Sequence, residues 1–152
     1  MSRFVIVGVM LSACATNGGA IVPRAGTWTY SEVTPVSNSC GSQINQIESG
    51  DFAIDSPTAS GFRVIPNDGT AAFACSSSGA SFECPNRAAA TDDLRPGVDA
   101  VIAIQASVDG AFSDASHATG SQVANATCTG TQCAQVAPFP CSFTVNFAIS
   151  AL

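Results

Sequence analysis

Ser142-Phe143-Thr144-Val145-Asn146-Phe147-Ala148-Ile149-Ser150 alternates without a break: Phe143, Val145, Phe147 and Ile149 share one parity, and Thr144, Asn146, Ala148 and Ser150 the other. Side chains of an extended chain point to opposite faces in turn, so this stretch reads as a β-strand with one face on an apolar core and the other in water. A helical turn of 3.6 residues would scatter the same four large apolar side chains around its circumference.

Further runs of the same period precede it from about Pro23 onward. They are Gly26 to Val36, Asp51 to Asp55, Phe62 to Pro66, Ala71 to Ser76, Ser81 to Cys84, Val98 to Val108, Ala111 to His117 and Gln122 to Cys128, punctuated by Gly, Pro, Asn and Asp. Many short strands between regularly spaced turn signals are the mark of an all-β domain. The predicted fold is an antiparallel meander forming either a small barrel or a β-sandwich.

Turn chemistry sets the expected registers. Asn67-Asp68-Gly69 links Phe62–Ile65 to Ala71–Ala74, and Asp109-Gly110 predicts a hairpin between the run ending at Val108 and the one opening at Ala111. At Asp109-Gly110 a two-residue turn and a three-residue loop with a bulge send Phe112 to opposite faces, and both stay open. Gly79-Ala80, with Gly first, pairs Ser78 with Ser81, Ser77 with Phe82, Ser76 with Glu83 and Cys75 with Cys84. Directly opposed thiols lie within disulfide range, so Cys75–Cys84 is an expected bridge.

Seven Cys occur in all. Six cysteines besides Cys14 allow about fifteen pairings, and beyond Cys75–Cys84 the choice stays open; in one of them Cys128 and Cys133, which flank Thr129-Gly130-Thr131-Gln132, close a small loop and leave Cys40 to Cys141. That last pairing requires the first and last strands to be antiparallel neighbours. The runs counted above give them the same direction, so it needs a crossover or a miscounted strand. Six thiols could instead hold zinc, but no Cys-x2-Cys occurs and the single His117 lies away from them in sequence, so no metal is expected. Three bridges place the domain in an oxidising compartment.

The seventh thiol, Cys14, has a different context. Arg3 is followed by the short apolar run Phe4–Met10 and then Leu11-Ser12-Ala13-Cys14. The run is too short for the roughly 20 residues that span a bilayer, and reads as a secretion signal. Leu11-Ser12-Ala13-Cys14 resembles the lipobox of bacterial lipoproteins. That resemblance implies cleavage before Cys14, a diacylglycerol on its thiol, a signal peptide over 1–13 and a tether over 14–22 containing Thr16-Asn17-Gly18-Gly19-Ala20. It also accounts for the odd cysteine. Ala15 and Thr16 follow the Cys where an Asp commonly retains lipoproteins in the inner membrane, so the outer membrane is the implied location.

The rest of the composition excludes more than it assigns. A chain of 152 residues with 46% hydrophobic and 11% charged positions is one globular domain, here 23–152. Its net charge of -6, with five Arg and no Lys, repels a phosphate backbone, which excludes nucleic acid as a partner. His117 follows Ser116 directly and Asp114 by three, but strand neighbours face opposite ways and no Gly-x-Ser-x-Gly occurs. Asp92-Asp93 falls in a predicted Asn86–Gly97 loop, Glu32, Glu48 and Glu83 are scattered, and Asp68-Gly69 and Asp109-Gly110 each offer one carboxylate in a turn. Neither paired carboxylates nor a calcium loop is spelled out, and no enzyme and no cofactor are expected.

Gly26-Thr27-Trp28-Thr29-Tyr30 resembles the Gly-x-Trp start of the lipocalin and avidin superfamily, which implies a small barrel with Trp28 at its closed end. The chain departs from that pattern in having no Arg after Arg95 and a single Trp, so biotin binding is not implied. Gly26–Tyr30, Phe73–Cys75, Phe82–Arg87 and Pro140–Phe143 together resemble small Cys-rich all-β lipoproteins of environmental Gram-negative bacteria. The expectation is a membrane-anchored lipoprotein with a structural or interaction role, its partner a surface protein. The alternative is a carrier of small apolar molecules, with Trp28, Tyr30, Phe143 and Phe147 lining the cavity.

Overall fold

The computed structural model describes residues 19–42 and 50–152. The expected signal peptide, Cys14 and most of the expected tether, and also Glu48, lie outside the described residues. Eight strands, β1 (Gly26–Asn38), β2 (Asp51–Thr58), β3 (Gly61–Pro66), β4 (Phe73–Ser78), β5 (Ser81–Asp93), β6 (Val101–Asp114), β7 (His117–Thr129) and β8 (Cys141–Ala151), follow one another around a closed antiparallel barrel. One short helix, α1 (Cys133–Val136), precedes β8.

Two sequence expectations are corrected. Asp109-Gly110 is not a hairpin: both residues lie within β6, which continues to Asp114. The turn comes at Ala115-Ser116, where the Asp114 carboxylate accepts the Ser116 backbone N–H at 2.6 Å. A side-chain oxygen folding back onto the backbone two residues on makes a turn without glycine. Asp92-Asp93, assigned to a loop, closes β5 instead, with Asp93 opposite Val101.

Merging two predicted runs into β6 leaves an even number of strands, and this settles the topological difficulty. In an up-and-down barrel of eight, the first and last strands are antiparallel neighbours, and β1 pairs with β8 from Trp28↔Ala151 to Asn38↔Phe143. Cys40, just past β1, therefore meets Cys141 at the start of β8 with Cα atoms 5.0 Å apart. No crossover is needed. Gly79-Ala80 carries the expected register, Ser76↔Glu83 to Ser78↔Ser81, with Gly79 at φ 63°. Cys75 and Cys84 are bridged at a Cα separation of 4.2 Å, and Cys128 and Cys133 at 5.8 Å.

An eight-strand barrel is just wide enough for inward side chains to fill it. The alternation of β8 aims Phe143, Val145, Phe147 and Ile149 inward, all buried. One cluster, which includes Trp28, Ile54, Phe62, Phe82, Phe112 and Phe147, occupies the end closed by the chain before β1. That segment straps the barrel: the Ile21 N–H donates to the Gly79 carbonyl (3.0 Å), and the Arg24 N–H to that of Ala115 (2.7 Å). Ile21, assigned to the tether, packs against the core. The Trp28 Nε1–H donates to the Arg24 carbonyl at 2.9 Å, so the strap satisfies the one polar atom of the indole. A second cluster, with Ile102, Ile104, Ala124, Phe143 and the Cys40–Cys141 bridge, fills the other end between the longer strands.

Candidate functional site

The four residues expected to line a cavity do not converge on one. Trp28 and Phe143 belong to different core clusters, at opposite ends of the barrel. Tyr30 and Phe147 do meet, rings edge to face at 5.8 Å, with Phe52 5.4 Å from Tyr30 on the other side. They border a small interior space of about 40 Å³. That is little more than one water's share of liquid volume, against the ~300 Å³ or more of a typical ligand pocket.

Above this space lies a mouth over the short strands β2, β3 and β4, with a volume of about 220 Å³. Tyr30, Phe52, Val64, Phe73 and Arg87 border both, and so form the constriction between them. Asp51, Asp68 and Thr70 border the mouth only. The register Phe52↔Pro66 sets Asp51 and the Asn67-Asp68 turn at the same end of the β2–β3 hairpin.

Arg87 is the residue that strand alternation hides. Counting from inward Cys84 by twos, position 87 faces out. Cys84 pairs with Val108, however, and Arg87 with Ala106, so Pro85 and Asn86 bulge opposite Ser107 and the parity reverses. Proline lacks the N–H that a regular ladder would ask of it, which makes Cys84-Pro85 a legible place for such a slip. The Arg87 guanidinium lies 3.6 Å above the Phe73 ring centroid, and its Nη1 donates to the Ala106 carbonyl at 3.5 Å. Gln122, 4% exposed, is the buried polar residue of the described interior and borders the inner space. The Asp68 carboxylate is held below the usual carboxylate range, first by the Thr70 hydroxyl, with Arg87 adding a smaller electrostatic pull.

The other candidates stay apart. His117 Nδ1 sits 3.0 Å from the Asp114 carboxylate on an exposed turn, and Ser116 engages that carboxylate through its backbone N–H. The six cysteines of the described residues are all bridged, which leaves none of them as a thiolate ligand. On the outer wall, Glu83 and Asp109 are cross-strand partners beside Ser76, Ser81 and Ser107 in a shallow open groove. Asp93 is tied to Arg95 at 2.6 Å.

No family model, no curated protein and no solved structure matches this chain.

Proposed function

We propose that the protein is an extracytoplasmic lipoprotein, anchored through Cys14 to the outer membrane, whose barrel has a structural or interaction role. The observation that carries this reading is the cysteine balance. Cys40, Cys75, Cys84, Cys128, Cys133 and Cys141 pair among themselves, and the one cysteine of the chain left over is Cys14, at the end of the lipobox-like Leu11-Ser12-Ala13. Bridges of this kind persist outside the cytoplasm, and a residual thiol in an exported chain needs a use. No helix among the described residues is long and apolar enough to cross a membrane. Two or three acyl chains, at about 0.8 kcal/mol per buried CH₂, hold a domain on a bilayer durably.

The filled interior favours a surface role over carriage of an apolar cargo in the core, because about 40 Å³ does not admit one. Metabolic labelling with a fatty-acid probe, followed by density fractionation, tests the reading. Label should co-migrate with the outer membrane, and Cys14→Ser should lose both label and sedimentation. Unlabelled wild type would refute the anchor.

A further inference from the structure

The barrel mouth has a charge layout that a structural plug does not require. Arg87 stands at the constriction, facing both the mouth and the inner space, whereas Asp51 and Asp68 are exposed and border only the mouth. One cation sits deep and two carboxylates sit shallow, with Tyr30, Phe52, Val64 and Phe73 as apolar wall between. We propose that this mouth binds a small zwitterion with an apolar body, of the α-amino-acid class, its carboxylate toward Arg87 and its ammonium toward Asp51 and Asp68.

Each part of the ligand follows from a part of the site. Guanidinium is the side chain that best matches a carboxylate, through paired parallel N–H donors, and its seat 3.6 Å over the Phe73 ring restrains it before a ligand arrives. A bare anion would have to pass Asp51 and Asp68 on a protein of net charge -6, and a ligand that carries its own ammonium meets attraction there instead. A bare amine would gain the rim but meet the positive charge of Arg87 beneath it. The volume of about 220 Å³ equals about seven waters, the scale of a branched or aromatic amino acid rather than of a lipid tail or an oligomer. Releasing that water from Tyr30, Phe52 and Val64 gives the apolar body its share of the affinity. This site is independent of the anchor: it uses strands β1 to β5 and no residue before Tyr30.

Isothermal titration calorimetry of the purified, disulfide-intact full chain decides it with three probes of one carbon skeleton: L-leucine, 4-methylpentanoate and 3-methylbutylamine. Leucine should bind, and each single-charge probe should bind about tenfold or more weakly, the loss typical of one charge-assisted hydrogen-bonded contact. Arg87→Gln should weaken leucine by about ten- to hundredfold. Arg87 also packs on Phe73, so the exposed Asp51→Asn serves as the variant that leaves the core untouched. It should weaken leucine severalfold while 4-methylpentanoate binds no worse. Absence of heat with leucine at millimolar concentration, or an amine that binds as tightly as the amino acid, overturns the proposal without bearing on lipidation at Cys14.

Discussion

Gly110 of β6 is the cross-strand partner of Gly120 of β7, and the aromatic rings of Phe82 and Phe147 close over the pair from either side. The four residues form one row across four strands, Phe82↔Gly110, Gly110↔Gly120 and Gly120↔Phe147. A Cβ on Gly110 would run into the Phe82 ring and the Thr119 carbonyl, and one on Gly120 into the Phe147 ring and the Asp109 carbonyl. Glycine is thus spent on packing here, where large rings replace missing side chains.

Gly110→Ala and Gly120→Ala should therefore each destabilise the barrel, by about 1–3 kcal/mol, because the backbone carbonyls cannot swing aside as a flexible side chain would. Denaturant unfolding with the disulfides intact measures it. The pair shares one row, so the double variant should depart from the sum of the singles. Neutral single substitutions would mean the rings are not seated as described.

Trp28 is 0% exposed, edge to face with Phe112 at a centroid distance of 6.1 Å, and is the one Trp of the chain. Its emission should be blue-shifted and insensitive to iodide in the native protein, and move to the red in one cooperative step on unfolding. Trp28→Ala removes the indole from the closed end and the donor from the Arg24 carbonyl, and should cost about 3–5 kcal/mol. Trp28→Phe retains most of the volume and should cost less. An iodide-quenched native spectrum would contradict the burial.

The same residues explain what the sequence disclosed and what it withheld. β8 was legible because its inward positions Phe143, Val145, Phe147 and Ile149 are large and the outward ones between them small or polar, so period two admits one register. The Gly79-Ala80 hairpin was legible because its turn residues and its opposed thiols agree. Asp109-Gly110 misled for a physical reason. The dipeptide that favours a tight turn is also what a strand needs when a ring from the next strand must approach its backbone, and only the tertiary neighbour Phe82 separates the two. The Ala115-Ser116 turn that replaces it is held by the Asp114 side chain, a weaker signal than glycine. At the mouth, Tyr30 was anticipated from its strand, while Arg87 was not. Its inward position depends on the Pro85-Asn86 bulge, which alternation alone does not contain. Phe143 was assigned to the cavity on parity, and parity says nothing of height along the barrel, which put it in the second cluster.

Acid should weaken the fold in a defined window. Asp93 is lowered from 3.8 to about 2, first by its hydrogen bonds from Arg95. Asp99 is lowered by the Thr131 hydroxyl and Asp114 by the Ser116 backbone N–H, each as its largest cause. A carboxyl whose folded pKa lies below its unfolded one contributes stability above the unfolded value and loses it as pH falls through the folded one. The loss should therefore set in below about 3.8 and continue toward 2. These groups are exposed, so each contributes little and the decline should be gradual. Urea midpoints across this range give the stability, and carboxyl chemical shifts give the Asp93 midpoint. A midpoint at 3.8 would show that Arg95 does not hold it.

The three bridges should differ in a fixed order. A cross-link restricts the unfolded chain more when it closes a longer loop, and the separations are 101 residues for Cys40–Cys141, 9 for Cys75–Cys84 and 5 for Cys128–Cys133. Chain-entropy estimates give about 4.7 kcal/mol for a loop near 100 residues and roughly 2–3 for the short ones. Position adds to the first: Cys40–Cys141 ties β1 to β8, the seam at which the barrel closes, and it is buried in the second core cluster. Replacing both Cys40 and Cys141 with Ala should therefore cost the most, and the seam should be the first part of the backbone to gain hydrogen exchange. Replacing Cys75 and Cys84 should leave the Gly79 turn and the barrel in place, because Ser76, Ser77 and Ser78 still pair across it. Replacing Cys128 and Cys133 should cost least and loosen only the segment around α1. Non-reducing digestion verifies the three linked peptides, and denaturant midpoints of the three double variants rank them. A Cys40/Cys141 variant as stable as the Cys128/Cys133 variant would mean that the seam is held by its β1–β8 ladder alone.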